Sequence, residues 1–372
     1  MPETKPCQFF LGANTPLGFY YLFDQLEDPT QPWHSFLIKG GPGCGKSSFL
    51  RRAAAELGPS DSHMELIPCS SDPDSLDAVL LPQRHLSLMD ATAPHAREAA
   101  LPGLRHSLLA FGDYLQPKKL LPKAKEIEEL HALSPRLYGL ALSYLRAAAA
   151  FLENSRAIAS WAVDEEKVLG YAKRFAAKHF RPQEGPGVEQ RRFLSAICCK
   201  GLVTLEETPA QLCRKLYLIE DDCGAVAPLL LEALRRHALA AGHRVIVCPC
   251  PMDPQGKAEH LLIPSAGVGF LSANHFHPME EAAAKAAACR RIHARRFQDQ
   301  EWLREKRGRF AHNRRAATQL LEQAVELLQQ LKEVHDRLES AYSAAMDFPR
   351  LNAALPQILQ RVEEAAYPPE EA

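Results

Sequence analysis

The second half of this chain repeats the first at an offset of about 182 residues, and a duplicated unit folds as two copies of one architecture. Phe10-Leu11-Gly12-Ala13 through Gly18 is matched by Phe193-Leu194-Ser195-Ala196 through Gly201, and Phe36-Leu37-Ile38-Lys39 by Tyr217-Leu218-Ile219-Glu220. Cys69-x-x-Asp72-Pro73 returns as Cys250-x-x-Asp253-Pro254, and Leu80-Leu81-Pro82 as Leu262-Ile263-Pro264. Between the copies, Arg181 through Gly187 has the Pro/Gly composition of a linker. The repeat predicts two domains, 1–183 and 184–372, each of ordinary size for one core.

The first copy carries a motif with chemistry in it. His34 to Ile38 reads as a short buried strand, and Phe49 to Leu57 as a helix; Gly40 to Ser47 between them fits G-x-x-x-x-G-K-[ST]. A loop wrapped around phosphates turns its N–H groups inward through dihedrals that a Cβ obstructs, hence Gly40, Gly43 and Gly45. A helix starting near Gly45 adds its free N–H groups and positive dipole end. Gly40, Gly41, Pro42, Gly43, Cys44, Gly45, Lys46, Ser47 and Ser48 are therefore the expected nucleotide-binding residues. Lys46 would reach the β- and γ-phosphates, and the Ser47 hydroxyl would ligate Mg²⁺.

A strand over His85 to Asp90 would bring Asp90 out beside this loop as a second metal-side acid. The alternative is Asp90 as the N-cap of a helix starting at Ala91. Lys46 and Asp90 are the catalytic candidates, with ATP and Mg²⁺ the expected ligands. No glutamate follows Asp90, so a water-orienting acid would come from Glu65, Asp72, Asp74 or Asp77. His95 would line the same rim.

The second copy has lost that chemistry. Asp221-Asp222-Cys223-Gly224-Ala225-Val226-Ala227-Pro228 stands where Gly40 to Ser47 stood, and Ser272 stands at the position of Asp90. Two aspartates repel a phosphate where the first loop attracts one, so one nucleotide per chain is expected.

Several function classes are excluded or narrowed by the bulk charge and apolar pattern. Lys and Arg number 44 against 45 Asp and Glu, which leaves no global field to recruit nucleic acid or an anionic membrane. There is no run of about 18 apolar residues, and the first residues lack the basic-then-apolar order of a leader; a cytoplasmic protein is expected. The ten cysteines, including Cys198-Cys199 and Cys248-Pro249-Cys250, lack the C-x-x-C spacing of zinc sites and read mainly as reduced core residues.

The chain resembles bacterial two-copy P-loop ATPases, common in Firmicutes, which have no established role. The resemblance is carried by Phe10 to Phe19, by Gly40 to Ser47, by Asp90-Ala91-Thr92-Ala93-Pro94-His95, and by His335-Asp336-Arg337-Leu338-Glu339 with Met346-Asp347-Phe348. It implies an α/β fold with duplicated P-loop NTPase cores, and supports ATP as the nucleotide. In that family the second copy commonly keeps its own phosphate loop, from which this chain departs. Each core should carry mainly parallel sheet and be followed by a helical hairpin, about 117–180 and about 279–365.

Leu320, Ala324, Leu327, Leu331, Val334, Leu338, Ala341 and Ala345 step by four and three, a coiled-coil seam expected to pack within the chain, or else against an unknown protein partner. From Arg290 to Arg315 ten basic residues face three acids, with Phe297, Trp302 and Phe310 interleaved. As a helix this would be a solvated face or, less expectedly, a nucleic-acid contact. The leading expectation is a hydrolase or ATP-dependent switch. The rivals are a small-molecule or nucleotide kinase, drawing on Arg97 and Arg105 for a lid, and a nucleic-acid-associated NTPase.

Overall fold

Along Phe36-Leu37-Ile38 the side chains alternate between two apolar surroundings, not between core and water. Tyr217, Leu218 and Ile219 do the same in the second half. Strands buried on both faces belong in the middle of a sheet that is covered twice. The computed structural model, which describes residues 5–28 and 31–366, places both there.

In chain order the first half comprises β1 (Cys7–Gln8), β2 (Gly12–Thr15), β3 (Gly18–Tyr21), β4 (His34–Lys39), α1 (Lys46–Leu57), β5 (Glu65–Pro68), β6 (Leu76–Leu81), β7 (Leu86–Asp90), β8 (His106–Ala110), α2 (Ala124–Ser160) and α3 (Glu165–His179). The second half comprises β9 (Val188–Arg191), β10 (Ser195–Cys198), β11 (Gly201–Thr204), α4 (Glu207–Leu212), β12 (Lys215–Glu220), α5 (Ala227–Ala240), β13 (Arg244–Cys250), β14 (Asp253–Ile263), β15 (Val268–Ala273), α6 (Glu280–Lys285), β16 (Ala288–His293), α7 (Gln300–Glu305), α8 (Arg307–Ser343) and α9 (Phe348–Glu364).

Two six-stranded sheets result, ordered β1-β5-β6-β7-β4-β8 and β9-β13-β14-β15-β12-β16. Element by element these are the same order, so the repeat read in sequence is a repeat of topology. Three of the five pairings in each sheet are parallel. The expectation of mainly parallel sheets holds only in part, because β6 and β14 run antiparallel to both neighbours. The cause is connection length. Each is followed by a single turn, Pro82–Arg84 or Pro264–Ala266, far too short for the crossover that parallel neighbours need.

The two sheets face one another. Leu37, Ala78 and Met89 from the first and Leu218, Leu262 and Leu271 from the second share one core with the hairpins β2–β3 and β10–β11. Phe10 and Phe193, equivalent residues, bond each other through both backbone pairs at 2.9 Å, so a local two-fold relates the halves at their junction. Arg192, buried, reaches across to Glu65 at 3.0 Å.

The outer faces are covered by exchanged helices. Leu351, Leu355 and Leu359 recur every four residues with Val362 on the same face, and this stripe of α9 packs on α1 and the first sheet. Val168, Ala172, Phe175 and Ala176 of α3 pack on α5 and the second sheet. Each of these leucines stabilises by about 1.5–3 kcal/mol on burial. The packing therefore crosses the division at 183.

Joining the exchanged parts, α2 and α8, both 37 residues long, lie side by side. Val334, Leu338 and Ala341 meet Ile127, Leu130 and Leu137, while Ala324 meets Ala141 and Leu145. The seam closes within the chain, the favoured one of the two expected arrangements. The helical expectation for 279–365 fails over 286–299, where β16 pairs with β12 as an edge strand. Only Ile292 of β16 is buried, and arginines on its exposed positions suit an edge that must not pair further. The basic run Arg290 to Arg315 is thus a strand, a turn and two helices, not one helical face. Among the described residues no helix is long and apolar enough to cross a membrane.

Candidate functional site

β4 delivers the chain into the glycine loop and α1 takes it away. Gly43 and Gly45 adopt φ of +66° and +83°, the left-handed region where a side chain is strained, and α1 begins at Lys46. Lys46 is 9% exposed; its Nζ donates to Gly40 O at 2.9 Å and Gly41 O at 2.7 Å and lies 3.5 Å from Asp90 Oδ2. Asp90 is brought there by register, since β7 pairs with β4 and Asp90 stands opposite Ile38, the residue two before the loop. No helix starts at Ala91. Asp90 Oδ1 instead accepts from the Thr92 N–H at 3.0 Å and from the Thr92 hydroxyl, so the capped feature is a turn. Ser47 Oγ accepts from the Leu76 N–H at 2.9 Å, tying the start of α1 to β6.

Four acids compete in sequence for the water-orienting role, and the structure separates them. Glu65 is committed to Arg192, Asp72 faces Lys332 at 3.4 Å, and Asp74 is an exposed partner of Lys200. Asp77 is buried on β6, one step beyond the Ala78–Met89 pair and hence opposite Asp90. Burial pushes its carboxyl up to about 6, with Asp90 adding to the rise and His95 opposing it. His95 Nε2 lies 3.9 Å from Asp77 Oδ1, and its ring stacks on Phe23 at 4.9 Å. His95 is therefore a buried partner of Asp77, not an exposed rim residue. Arg97 is held by Glu27 at 2.7 Å, and neither it nor Arg105 is seen over the loop.

The covering element comes from the other half of the chain. A side chain at Gly43 would run into the Glu339 carbonyl of α8, Tyr342 packs on Gly41, and Phe348 packs on Gly45. The Glu339 carboxylate is held below the usual range first by His335, and the nearby Gly43 N–H lowers it a little further. A carboxylate from α8 thus stands beside one donor of the loop. Sequence alone could not place Glu339 there.

Comparison with family models, with curated proteins and with solved structures returned no match.

The equivalent loop of the second half is closed by its own side chain. Asp221, at the position of Gly40, is buried and accepts from Gly224 N at 3.0 Å, Val226 N at 2.7 Å and Ala227 N at 2.8 Å. These are donors at the start of α5, the place where an anion would be bound at a helix N-terminus. The sequence offers repulsion by two aspartates as a reason to expect no phosphate here; in the structure the donors are also taken by Asp221. Ser272 pairs with Ile219 as Asp90 does with Ile38, confirming the equivalence. Cys198, Cys199, Cys248 and Cys250 are unbridged, and among the described residues no group of three or more His, Cys, Asp or Glu is placed to hold a metal.

Proposed function

We propose that the chain is an ATP-binding P-loop protein, an ATPase or ATP-driven switch, with one nucleotide site per chain at Gly40 to Ser48. The observation that carries this is the buried Lys46 held between the loop carbonyls and Asp90 at the mouth of α1. An ammonium satisfied by two weak carbonyl acceptors is poised to exchange them for phosphate oxygens, which bind it as a charged pair. The donors at Gly43 and the start of α1 would take the remaining phosphate charge. Ser47 and Asp90 fit as the residues that hold Mg²⁺, which supplies charge neutralisation at the β- and γ-phosphates.

Asp77 supplies the missing base. With a carboxyl near 6 it is ionised at neutral pH and sits opposite Asp90, where it can accept a proton from an attacking water. Binding would also require the Glu339 carboxylate to move away from Gly43. Since α8 runs from the first loop to the second half, that release is the step by which nucleotide state would be communicated along the chain.

Titration of the full-length protein with Mg-ATP is expected to show about one site, on the loop logic above. Lys46→Ala should abolish it while leaving the protein folded, and Asp90→Asn should reduce magnesium dependence and turnover more than affinity. Unchanged affinity in Lys46→Ala would sink the assignment.

A further inference from the structure

The second half discarded its phosphate loop but kept an acid and a histidine. At the repeat offset, Asp77 corresponds to Glu259 and His95 to His277, and the pair survives in space, with His277 Nδ1 3.7 Å from Glu259 Oε1. What covers the pair differs. Over His95 lie the rings of Phe19 and Phe23, and α8 brings Lys332 and Tyr342 to that side. The matching positions are Leu202, Glu206, Ala149 and Ala159. Leu202 and Ala149, the counterparts of Phe19 and Lys332, line a cavity of about 980 Å³ between the second sheet, the two hairpins, α2 and α8, at the upper end of small-molecule sites.

Its floor is polar and incompletely satisfied. Glu259 is 1% exposed; its Oε1 meets Lys257 Nζ at 3.3 Å, while Oε2 has no hydrogen-bond partner among the described residues. Neither ring nitrogen of His277, also buried and lining the cavity, has one either. Burial opposes the Glu259 charge, but His277 and Lys257 outweigh it and hold the carboxyl below its usual range. Lys257 is shared, because Asp221 draws on it as well as Glu259. A buried carboxylate oxygen without a donor is destabilising unless something fills the gap.

Charge and shape then select the ligand. The cavity is lined by seven carboxylates against three Lys/Arg side chains, so its field attracts cations. Phosphate is excluded because Asp221 already holds the N–H groups of α5. Ile197, Leu202, Met252, Phe276, Leu321 and Val325 supply apolar walls above the polar floor. We propose that this cavity binds an organic amine, its protonated nitrogen drawn to the Glu259–His277 floor and its apolar body between Leu202, Phe276 and α8. The site stands independently of the nucleotide reading.

The test is calorimetric titration of the full-length protein with phenethylamine and n-hexylamine, against phenylacetate and hexanoate, which keep the body and invert the charge. The amines are expected to bind at least ten-fold more tightly than their acids. Glu259→Gln should remove that preference. Ala149→Trp, which fills the cavity from the α2 wall without touching the Lys257–Glu259 pair, should abolish binding and keeps the proposal testable if Glu259→Gln does not fold. Equal or tighter binding of the acids, no amine binding at millimolar concentration, or unchanged amine affinity in a folded Ala149→Trp would each overturn it.

Discussion

Replacing Asp221 by alanine tests the closure of the second loop directly. The carboxylate accepts three backbone donors at 2.7–3.0 Å while only 3% exposed. Hydrogen bonds to a charged group are worth about 1.5–3 kcal/mol each, so a simple sum gives on the order of 5–9 kcal/mol. The adjoining cavity admits water to the freed N–H groups, which should recover more than half, leaving a net loss of about 3 kcal/mol in urea unfolding at pH 7. The variant would have regained an anion site. Inorganic phosphate at ten times its Kd should then restore about 1.4 kcal/mol, by RT ln(1 + [L]/Kd). The measurement belongs in a Lys46→Ala background, so that the first loop does not contribute. A loss under about 1 kcal/mol, or a phosphate response equal to that of Lys46→Ala alone, would refute the idea that Asp221 stands in for a bound anion.

Glu339→Gln should tighten Mg-ATP about five-fold by calorimetry, since roughly 1 kcal/mol is gained when a half-exposed carboxylate no longer competes for Gly43; equal or weaker binding would count against the competition. Asp77 has a folded pKa of about 6, raised chiefly by burial, so the stability it contributes is fully present below the ordinary carboxylate pKa and is lost as pH rises through 6. Asp77→Asn should therefore gain on the wild type across about pH 4–6, by up to about 3 kcal/mol, when urea unfolding is compared at pH 4, 5, 6 and 7. A pH-independent difference would show that the carboxyl is not perturbed. Leu355→Ala should cost about 2–4 kcal/mol and lower amide protection in β4 more than in β12, although Leu355 lies in the second half of the sequence.

The features legible in the sequence are those that neighbouring residues decide. Gly43 and Gly45 announce positive φ because only glycine takes it freely, and the loop follows. Asp90 could be placed because a strand ending beside a parallel neighbour delivers its last residue to the loop end of the sheet. The seam on α8 was readable from its spacing alone. What stayed hidden depends on partners far away in the chain. Leu351 and Leu355 show one apolar face but not which sheet it covers, and nothing near Glu339 signals Gly43. Arg290 to Arg296 misled because basic residues suit an exposed strand edge and a helix surface equally well. The antiparallel course of β6 was signalled by Leu80-Leu81-Pro82 and the turn after it, a cue that marks the connection without naming the direction. The pair Glu259 and His277 could have been found by carrying Asp77 and His95 along the repeat.

The exchange of α3 and α9 sets the order in which the molecule can be completed during synthesis. The second sheet meets its covering helix already made, since α3 precedes every strand it packs on. The first sheet is in the opposite position: β4 to β8 emerge early, yet α9 is the last described helix to leave the ribosome. Throughout elongation of the second half, Phe36, Val79 and Leu86 lack part of their apolar cover. A nascent chain halted anywhere before α9 should therefore display a sticky first half, a natural ligand for a chaperone, while the released protein should not.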